Sequence, residues 1–472
     1  KAFSHFKGII NPSYPLTVYY AYKQTEEKGG DHKVSTGWET ILTGIQDGVL
    51  VVDQDQRLGM VNKAARDAFN IDGEVALAGK PFRDVFHQEE MLNMINTPNS
   101  SVGNRSEVSP DENRVYSLQM TPISGVGRVF TLQGSIVPTI AGLHITGGDA
   151  TVLGDNHDDG GGIYTNLGNL APDTAVTLKD NHIYGNTAWN GGGAYLDGHG
   201  AYLLDGNTFE ANTASDRGGG MVVFNQGITL NNNTFNNNEC GGMGGGLAIL
   251  YADAFLQANT FTDNSAAQAG GGLYAYDSAF ESDGDWLLKN SAGRGGGLAI
   301  LGGLYNQTWR DNWLVNAVVA YNEATLEGSG IYISGSPLNL WQTTLVKNTG
   351  GDDSGILISD WDPWDIAETS TVELRNTIVT TQTVGIVVAD GSTVEVDSIL
   401  WFADAITLTE VPEADVSLIN EITGDPVFAD PAYGNFHLEP TSAARDVGMV
   451  SEVATDFDGW VRPMGMGYDL GA

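Results

Sequence analysis

Asparagine recurs at a fixed interval of 26 residues through the C-terminal two-thirds of this 472-residue chain. One series consists of Asn186, Asn212, Asn238, Asn264 and Asn290. A second series at the same interval consists of Asn181, Asn207, Asn233 and Asn259, and a third of Ile183, Phe209, Phe235 and Phe261. Glycine triplets begin every 25 to 27 residues between Gly191 and Gly295. Several series that share one period indicate a repeat architecture.

The repeat unit predicts short strands and no helices. Runs such as GGGLAIL and AFLQANTF are separated by glycine and asparagine, and none has a helical period. Short strands that return to the same place every 26 residues stack in parallel, about 4.8 Å apart. The sequence therefore predicts a mainly β chain whose residues 134–420 form a parallel β-helix of roughly 11 coils. By analogy with known folds of this coil size, we expect it to be right-handed with three faces.

The repeated residues have structural roles in such a fold. Phe209, Phe235 and Phe261 are expected to stack along the interior, where each buries apolar surface. The asparagines are expected at turns, because asparagine tolerates the left-handed conformation and its amide can bond the next coil. Five asparagines at one interval favour an architectural ladder over a catalytic or sugar-binding site.

Composition divides the chain into unlike segments near residues 44 and 133. Residues 1–133 contain 13 basic and 16 acidic residues, whereas residues 134–472 contain 9 basic and 43 acidic residues. We expect four parts: an arm over 1–44, a small α/β domain over 45–133, the β-helix over 134–420 and its closing module over 421–472. The abrupt changes are typical of a composite sequence.

Charge and composition exclude several functions. The formal net charge of −37 argues against nucleic-acid binding, which needs a basic surface. The single cysteine, Cys240, permits neither a disulfide framework nor a cysteine-rich zinc site. The sequence contains no run of about 18 apolar residues of the kind that would predict a transmembrane helix.

The two N-terminal segments each resemble a known family. INPSYPLTVYYAYKQ and STGWETIL, within 1–44, resemble a piece of adenine-specific DNA methyltransferases, although Ser13 replaces the second proline of the Asn/Asp-Pro-Pro-Tyr motif. Residues 45–133 resemble a PAS sensor domain of bacterial histidine kinases, which implies a ligand or protein-interaction pocket. The residues that match the PAS pattern are Asp47, Gly48, Asn62, Ala64, Ala65 and Phe69.

The C-terminal two-thirds resembles bacterial surface and secreted β-helix proteins. FEAN (209–212), FNNN (235–238) and FTDN (261–264) alternate with GGGLAI, as in the repeats of polymorphic outer-membrane proteins and related adhesins. DPVFADPAYGNFHLEPTSAARDVG and DFDGWVRPMGMGYDLGA resemble the closing module of choice-of-anchor proteins, with Ser442-Ala443-Ala444-Arg445-Asp446 in place of the usual Ser-Pro-Ala-Ile-Asp. These resemblances imply an extracellular or cell-surface location.

Catalysis is the alternative, because polysaccharide lyases and glycoside hydrolases also use the pectate-lyase-like fold. Gly198-His199-Gly200 and Asp352-Asp353 match hydrolase motifs, but they occur in the reverse order. The sequence contains no second carboxylate in register with either. We therefore assign no catalytic or cofactor-binding residue.

The candidate ligand sites lie in and just before an acidic insertion, SDWDPWD (359–365). Ca²⁺ is coordinated by loop oxygens, and the candidate ligands here are Asp352, Asp353, Asp360, Asp362 and Asp365. Trp361 and Trp364 are candidates for stacking on sugar rings or on a partner protein. Asp155, Asp158 and Asp159 form a second acidic cluster. In both clusters a solvated acidic surface is the competing interpretation.

The sequence therefore predicts a non-catalytic extracellular β-helix protein with a structural or adhesive role. Its expected partners are other surface proteins or glycans, and assembly through the faces or ends of the β-helix is a further expectation. A sensory fusion that uses the PAS-like segment is the second alternative.

Overall fold

A computed structural model describes the chain in segments. These are residues 19–20, 50–52, 57–61, 66, 69, 71, 77, 79–87, 104–111, 114–120, 128–133, 138–151, 153, 158–167, 175–198, 201–225, 227–302, 304–305, 308–309, 311–359, 369–389 and 391–471.

The chain divides into two compact units, Lys1–Thr131 and Leu132–Ala472. The strands of the first unit form a three-stranded sheet and a separate antiparallel pair. The sheet contains Tyr19–Tyr20, Leu50–Val52 and Leu58–Val61, and the pair contains Asn104–Asp111 and Arg114–Met120. A short 3-10 helix spans Phe82–Asp84. Most of the residues behind the methyltransferase and PAS resemblances lie outside the described segments, so both remain predictions.

The second unit consists of three parallel sheets that the chain visits in turn. Sheet 1 contains Phe130–Gln133, Ile163–Leu167, Ala194–Gly198, Met221–Phe224, Leu247–Leu250, Leu273–Tyr276, Leu298–Leu301, Ile331–Ser334, Ser354–Ser359, Val384–Val388 and Ile406–Glu410. Sheet 3 contains Thr187–Asn190, Thr213–Arg217, Glu239–Cys240, Ser265–Ala269, Ser291–Arg294 and Glu323–Glu327.

Sheet 2 is built from two rows of short strands that merge into three long strands. The first row contains Thr139–Ala141, Ala175–Lys179, Ala201–Asp205, Gly227–Asn231, Asp253–Gln257, Ala279–Asp283, Asn312–Val315 and Pro337–Trp341. The second row contains His144–Thr146, His182–Tyr184, Thr208–Glu210, Thr234–Asn236, Thr260–Thr262, Trp286–Leu288, Val318–Ala320 and Thr344–Val346. The long strands are Thr371–Thr380, Thr393–Phe402 and Asp415–Thr423.

This arrangement is a right-handed parallel β-helix, as the sequence predicts, with almost no helix. It has about nine turns of about 26 residues, fewer than the predicted 11. Insertions account for part of the difference. The step from Phe280 to its hydrogen-bonded neighbour Asn312 is 32 residues, and that from Asn348 to Gln382 is 34. A small antiparallel hairpin, Leu304–Tyr305 and Thr308–Trp309, occupies the first insertion.

The core lies inside the solenoid, where equivalent residues of successive turns stack. Phe209, Phe235 and Phe261 are fully buried, with ring centroids 4.8 Å apart and planes within 7° of parallel. The strands of sheet 2 alternate buried and part-exposed side chains, so that one face of each strand lines the core. Stacking of like residues buries each ring against its own copies in the neighbouring turns.

The glycine triplets lie next to the stacked phenylalanines and the asparagines of the ladders. The first glycine of a triplet makes the turn, since Gly218 has a φ of +61°. At the third, Gly220, a Cβ atom would lie 2.5 Å from the Gly246 carbonyl oxygen, 3.1 Å from the Phe235 ring and 3.2 Å from Asn238 Cγ. A side chain there would push into the stacked interior, and this is the reason that Phe-x-x-Asn and Gly-Gly-Gly recur together.

The asparagines of the 26-residue series form directional ladders of hydrogen bonds. Asn212 donates from its backbone N–H and from Nδ2 to Oδ1 of Asn238, at 3.1 and 3.0 Å. Asn212 Nδ2 also donates to the carbonyl of Ile183, at 2.9 Å. Asn238 repeats this pattern toward Asn264. Each rung therefore accepts from the preceding turn and donates to the following one, which satisfies buried amides collectively.

The C-terminal segment folds back along the outside of sheet 2. It contains the hairpin Phe428–Asp430 and Asn435–Leu438 and a 3-10 helix, Pro431–Tyr433. Phe436 packs in an apolar cluster with Val318, Ala320 and Val346. The outer face of sheet 2 is apolar at these turns because this segment covers it.

Candidate functional site

Five aromatic side chains follow one another along the outer face of sheet 1 and the turn after it. We call them the aromatic stripe, and its members are Tyr164, Tyr195, Phe224, Tyr251 and Tyr276. Consecutive ring centroids lie 5.8, 6.4, 5.8 and 5.5 Å apart. The first three rings are stacked and the last two contacts are edge-to-face, the geometries that aromatic pairs prefer.

The stripe packs against a cluster of buried apolar side chains. Val222, Ala248 and Tyr332 are fully buried on the outer side of sheet 1, and Tyr195, Phe224 and Tyr276 pack against that cluster. Tyr251 is 37% exposed, whereas the other members of the stripe are half-buried. The rings are thus held at fixed positions while part of each remains accessible to solvent, which is a pre-organised surface for a ligand.

The Tyr195 phenol of the stripe stays neutral. Burial raises the pKa of Tyr195 well above its ordinary value, the carboxylates of Asp159 and Asp197 raise it further, and the Arg217 guanidinium opposes them. A neutral tyrosine can donate or accept a hydrogen bond but cannot serve as a base near neutral pH. Stacking and hydrogen bonding are therefore the chemistry that this surface offers.

The two hydrolase-like motifs do not converge on each other. Gly198 ends one strand of sheet 1 and Ser354 begins another, six strands further along the stack, a separation of about 29 Å. His199 lies outside the described residues. Glycosidase carboxylates work about 5–10 Å apart, so Asp352 cannot act with the Gly-His-Gly motif.

The Asp352 side chain accepts three hydrogen bonds that fix a turn. Its Oδ1 atom accepts hydrogen bonds from the Ser354 hydroxyl at 2.7 Å, the Ser354 N–H at 3.2 Å and the Gly328 N–H at 3.1 Å. Asp353 is exposed and takes a left-handed conformation with a φ of +67°. Both residues thus form the turn between the glycine-rich corner and sheet 1.

The rest of the predicted calcium and ligand site lies outside the described residues. This applies to Asp360, Asp362, Asp365, Trp361 and Trp364, so a Ca²⁺ site and a tryptophan platform in this insertion remain predictions. Among the residues that the structure describes, no group of three or more histidine, cysteine, aspartate or glutamate side chains is arranged to hold a metal ion.

Two carboxylates that the sequence analysis did not identify occupy the ends of the ladders, Asp285 fully buried and Asp404 half-buried. Asp285 accepts from Asn259, and its second oxygen accepts from the Ser282 hydroxyl at 2.6 Å. Asp404 accepts from the Gln382 N–H at 2.7 Å. Burial raises the pKa of Asp285 to about 7 and that of Asp404 to about 6. The last rung of a ladder needs only to accept, and an aspartate supplies that acceptor.

The single cysteine is inert. Burial raises the pKa of the Cys240 thiol to about 12, and its sulfur lies 3.2 Å from the Asp216 carbonyl and 3.3 Å from that of Met243. Reactive cysteines are exposed and have a lowered pKa.

Comparison with known proteins agrees with this fold. Residues 131–286, about a third of the chain, match the family model described as the right handed beta helix region. Neither the curated proteins nor the solved structures gave a match. Within the described segments, no helix is both long and apolar enough to cross a membrane.

Proposed function

We propose that this chain is a non-catalytic β-helix protein of the cell surface or the extracellular space that binds a glycan chain along the aromatic stripe. The fold is consistent with a surface or structural protein. The observation that carries the proposal is the row of five rings at 5.5 to 6.4 Å from one another.

Sugar C–H groups pack against aromatic side chains, and a regular row of partly buried rings offers repeated apolar contacts beside phenol hydroxyls that can donate or accept hydrogen bonds. The spacing of the stripe is of the order of the length of one pyranose unit in an extended chain. Because the protein carries a net charge of −37, an anionic polysaccharide is repelled, and a neutral glycan is the better match.

Oligosaccharide binding tests the proposal directly. Hexasaccharides of β-linked glucose, xylose and mannose would be titrated into the protein by calorimetry. We expect one of them to bind, and the double variant Tyr195→Ala, Phe224→Ala to bind it at least tenfold more weakly. The matched control is Phe255→Ala, since Phe255 is 42% exposed and lies on sheet 2, away from the stripe.

Two outcomes would contradict the proposal. If no neutral hexasaccharide binds, or if the control variant loses as much affinity as the double variant, the stripe is not a glycan platform. Release of shorter products from a bound saccharide would instead favour the lyase or hydrolase alternative.

A further inference from the structure

The last turn of the β-helix leaves its strands unpaired on one side. Ile406–Glu410 pairs with Val384–Val388, and Asp415–Thr423 pairs with Thr393–Phe402. In the part of the chain that the structure describes, no further strand pairs with either. Their outer N–H and C=O groups therefore form an open edge, which is a template for an added strand.

The apolar interior is also open at this end. Val394 and Val396 of the preceding turn are at most 1% exposed, because the last turn covers them. In the last turn itself Leu418, the register partner of Val396, is 39% exposed. The side chains of Ile406 and Ile419, also in the last turn, are 50% and 44% exposed. The end thus combines an unpaired backbone with uncovered apolar side chains.

The charge around this end is predominantly negative. Residues 376–444 contain 11 acidic residues and no lysine or arginine, and Arg375 and Arg445 border this stretch. Glu410, Glu413 and Asp415 are exposed on the last turn itself. The folded-back C-terminal segment packs along sheet 2, with Leu470 against Ile378 and Leu400. Oppositely charged residues on a partner are therefore the complement of this surface.

We propose that the strand Asp415–Thr423 is a docking site for an extended, basic segment of a partner protein, which adds to the β-helix as its next strand. Main-chain hydrogen bonds would supply the pairing, and alternate side chains would supply specificity. Apolar side chains of the segment would cover Val416 and Leu418, and its lysine or arginine side chains would face the carboxylates. A second copy of this chain fits less well, because it would bring the same acidic surface against itself.

A defined peptide tests the proposal on the full chain. The probe is a nine-residue peptide of alternating lysine and valine, matched in length to Asp415–Thr423, and the control peptide alternates glutamate and valine. We expect only the lysine peptide to bind, measured by fluorescence anisotropy. Hydrogen exchange followed by mass spectrometry should show slower exchange of amides within 415–423 when it is bound.

A matched pair of variants separates strand addition from general attraction to an acidic protein. Leu418→Lys and Phe255→Lys each replace an exposed apolar side chain of sheet 2 by lysine, the first at the open end and the second in the middle of the β-helix. Leu418→Lys should weaken binding at least tenfold, and Phe255→Lys should leave it within twofold. Circular dichroism of both variants checks that the fold is retained.

Several results would overturn the proposal. Absence of binding, equal weakening in both variants, or protection of amides elsewhere would each remove the docking site. A dimer in sedimentation experiments that Leu418→Lys dissociates would show that a second copy occupies the edge. Because none of these measurements involves the aromatic stripe, they fail or succeed independently of glycan binding.

Discussion

Asp285 occupies the position that asparagine holds in the four preceding turns, and it completes the hydrogen bonds of Asn259. Its Oδ1 atom accepts from the Asn259 N–H at 2.6 Å and from Asn259 Nδ2 at 3.0 Å. The equivalent residue of the next turn is Ala317, so no further rung follows. A carboxylate serves here because the terminal rung accepts and has no rung to which it must donate.

The first prediction concerns the pH dependence that this carboxylate creates. Burial raises the pKa of Asp285 from 3.8 to about 7, so the folded protein retains a proton that the unfolded chain releases above about pH 4. The stabilisation is complete below about pH 4 and is lost as the pH rises through 7. We expect Asp285→Asn to be the more stable protein at pH 8, by about 1–3 kcal/mol, because its neutral amide needs no proton.

Denaturant unfolding at pH 5 and at pH 8 measures this difference. The variant should lose less stability between the two values than the wild type. Part of the slope should remain, since burial also raises the pKa of Asp404 to about 6. Asp263→Asn, at an exposed position, is the control and should change neither value. Parallel pH profiles for the wild type and Asp285→Asn would contradict the assignment.

The phenylalanine stack gives the second prediction. Phe235 is fully buried, with Phe209 and Phe261 each stacked on it at 4.8 Å. We expect Phe235→Ala to lower the free energy of unfolding by about 3–5 kcal/mol, because it removes a ring and leaves a cavity between two others. Phe255→Ala, at a 42% exposed position, should cost less than about 1 kcal/mol. Equal effects of the two substitutions in thermal unfolding would show that the stack does not hold the turns together.

The fold could be predicted from the sequence because the same residue types recur at the same position in consecutive turns. Asn207, Asn233 and Asn259 are spaced by the turn itself, and the 26-residue step to Asp285 could have identified that rung as well. Asp404 could not be found in this way. The intervals before it are 34 residues from Asn348 to Gln382 and 22 from Gln382 to Asp404, because the turns change length.

The aromatic stripe has no constant period either. Its members are 31, 29, 27 and 25 residues apart. Tyr164 and Tyr195 share one register position across a longer turn. Phe224, by contrast, lies two positions further along its strand, and Tyr251 lies in the turn after the next strand. Tyr276 then returns to the strand, one position earlier than Tyr251. Only the stacking of sheet 1 brings the five rings into one row. The docking of the C-terminal segment is equally non-local, since Arg462 bonds a side chain 146 residues earlier in the chain. Such contacts depend on tertiary packing and leave no local pattern in the sequence.

The direction of the ladder gives the third prediction. Asn238 Nδ2 donates to Asn264 Oδ1 and to the Phe209 carbonyl, both at 2.9 Å. Asn238→Asp replaces this donor by an oxygen that faces two acceptors, which is costly when buried. We expect a loss of about 2–5 kcal/mol at pH 8 and a smaller loss at pH 5, where a protonated carboxyl can donate once. If Asn238→Asp had the same free energy of unfolding as the wild type at both pH values, the donated hydrogen bonds of this rung would contribute nothing to stability.

The fourth prediction concerns the attachment of the C-terminal segment. Arg462 donates from Nη2 to Asn316 Oδ1 at 2.9 Å and to the Gly471 carbonyl at 3.2 Å, and from Nε to the Thr455 carbonyl at 3.2 Å. Lysine cannot reproduce this planar set of donors. We expect Arg462→Lys to loosen residues 424–472 and to increase their cleavage in limited proteolysis severalfold, while the turns of the β-helix stay resistant. Lys347→Ala, at an exposed position, is the control. An unchanged cleavage pattern in Arg462→Lys would mean that apolar contacts such as those of Phe436 hold the segment by themselves.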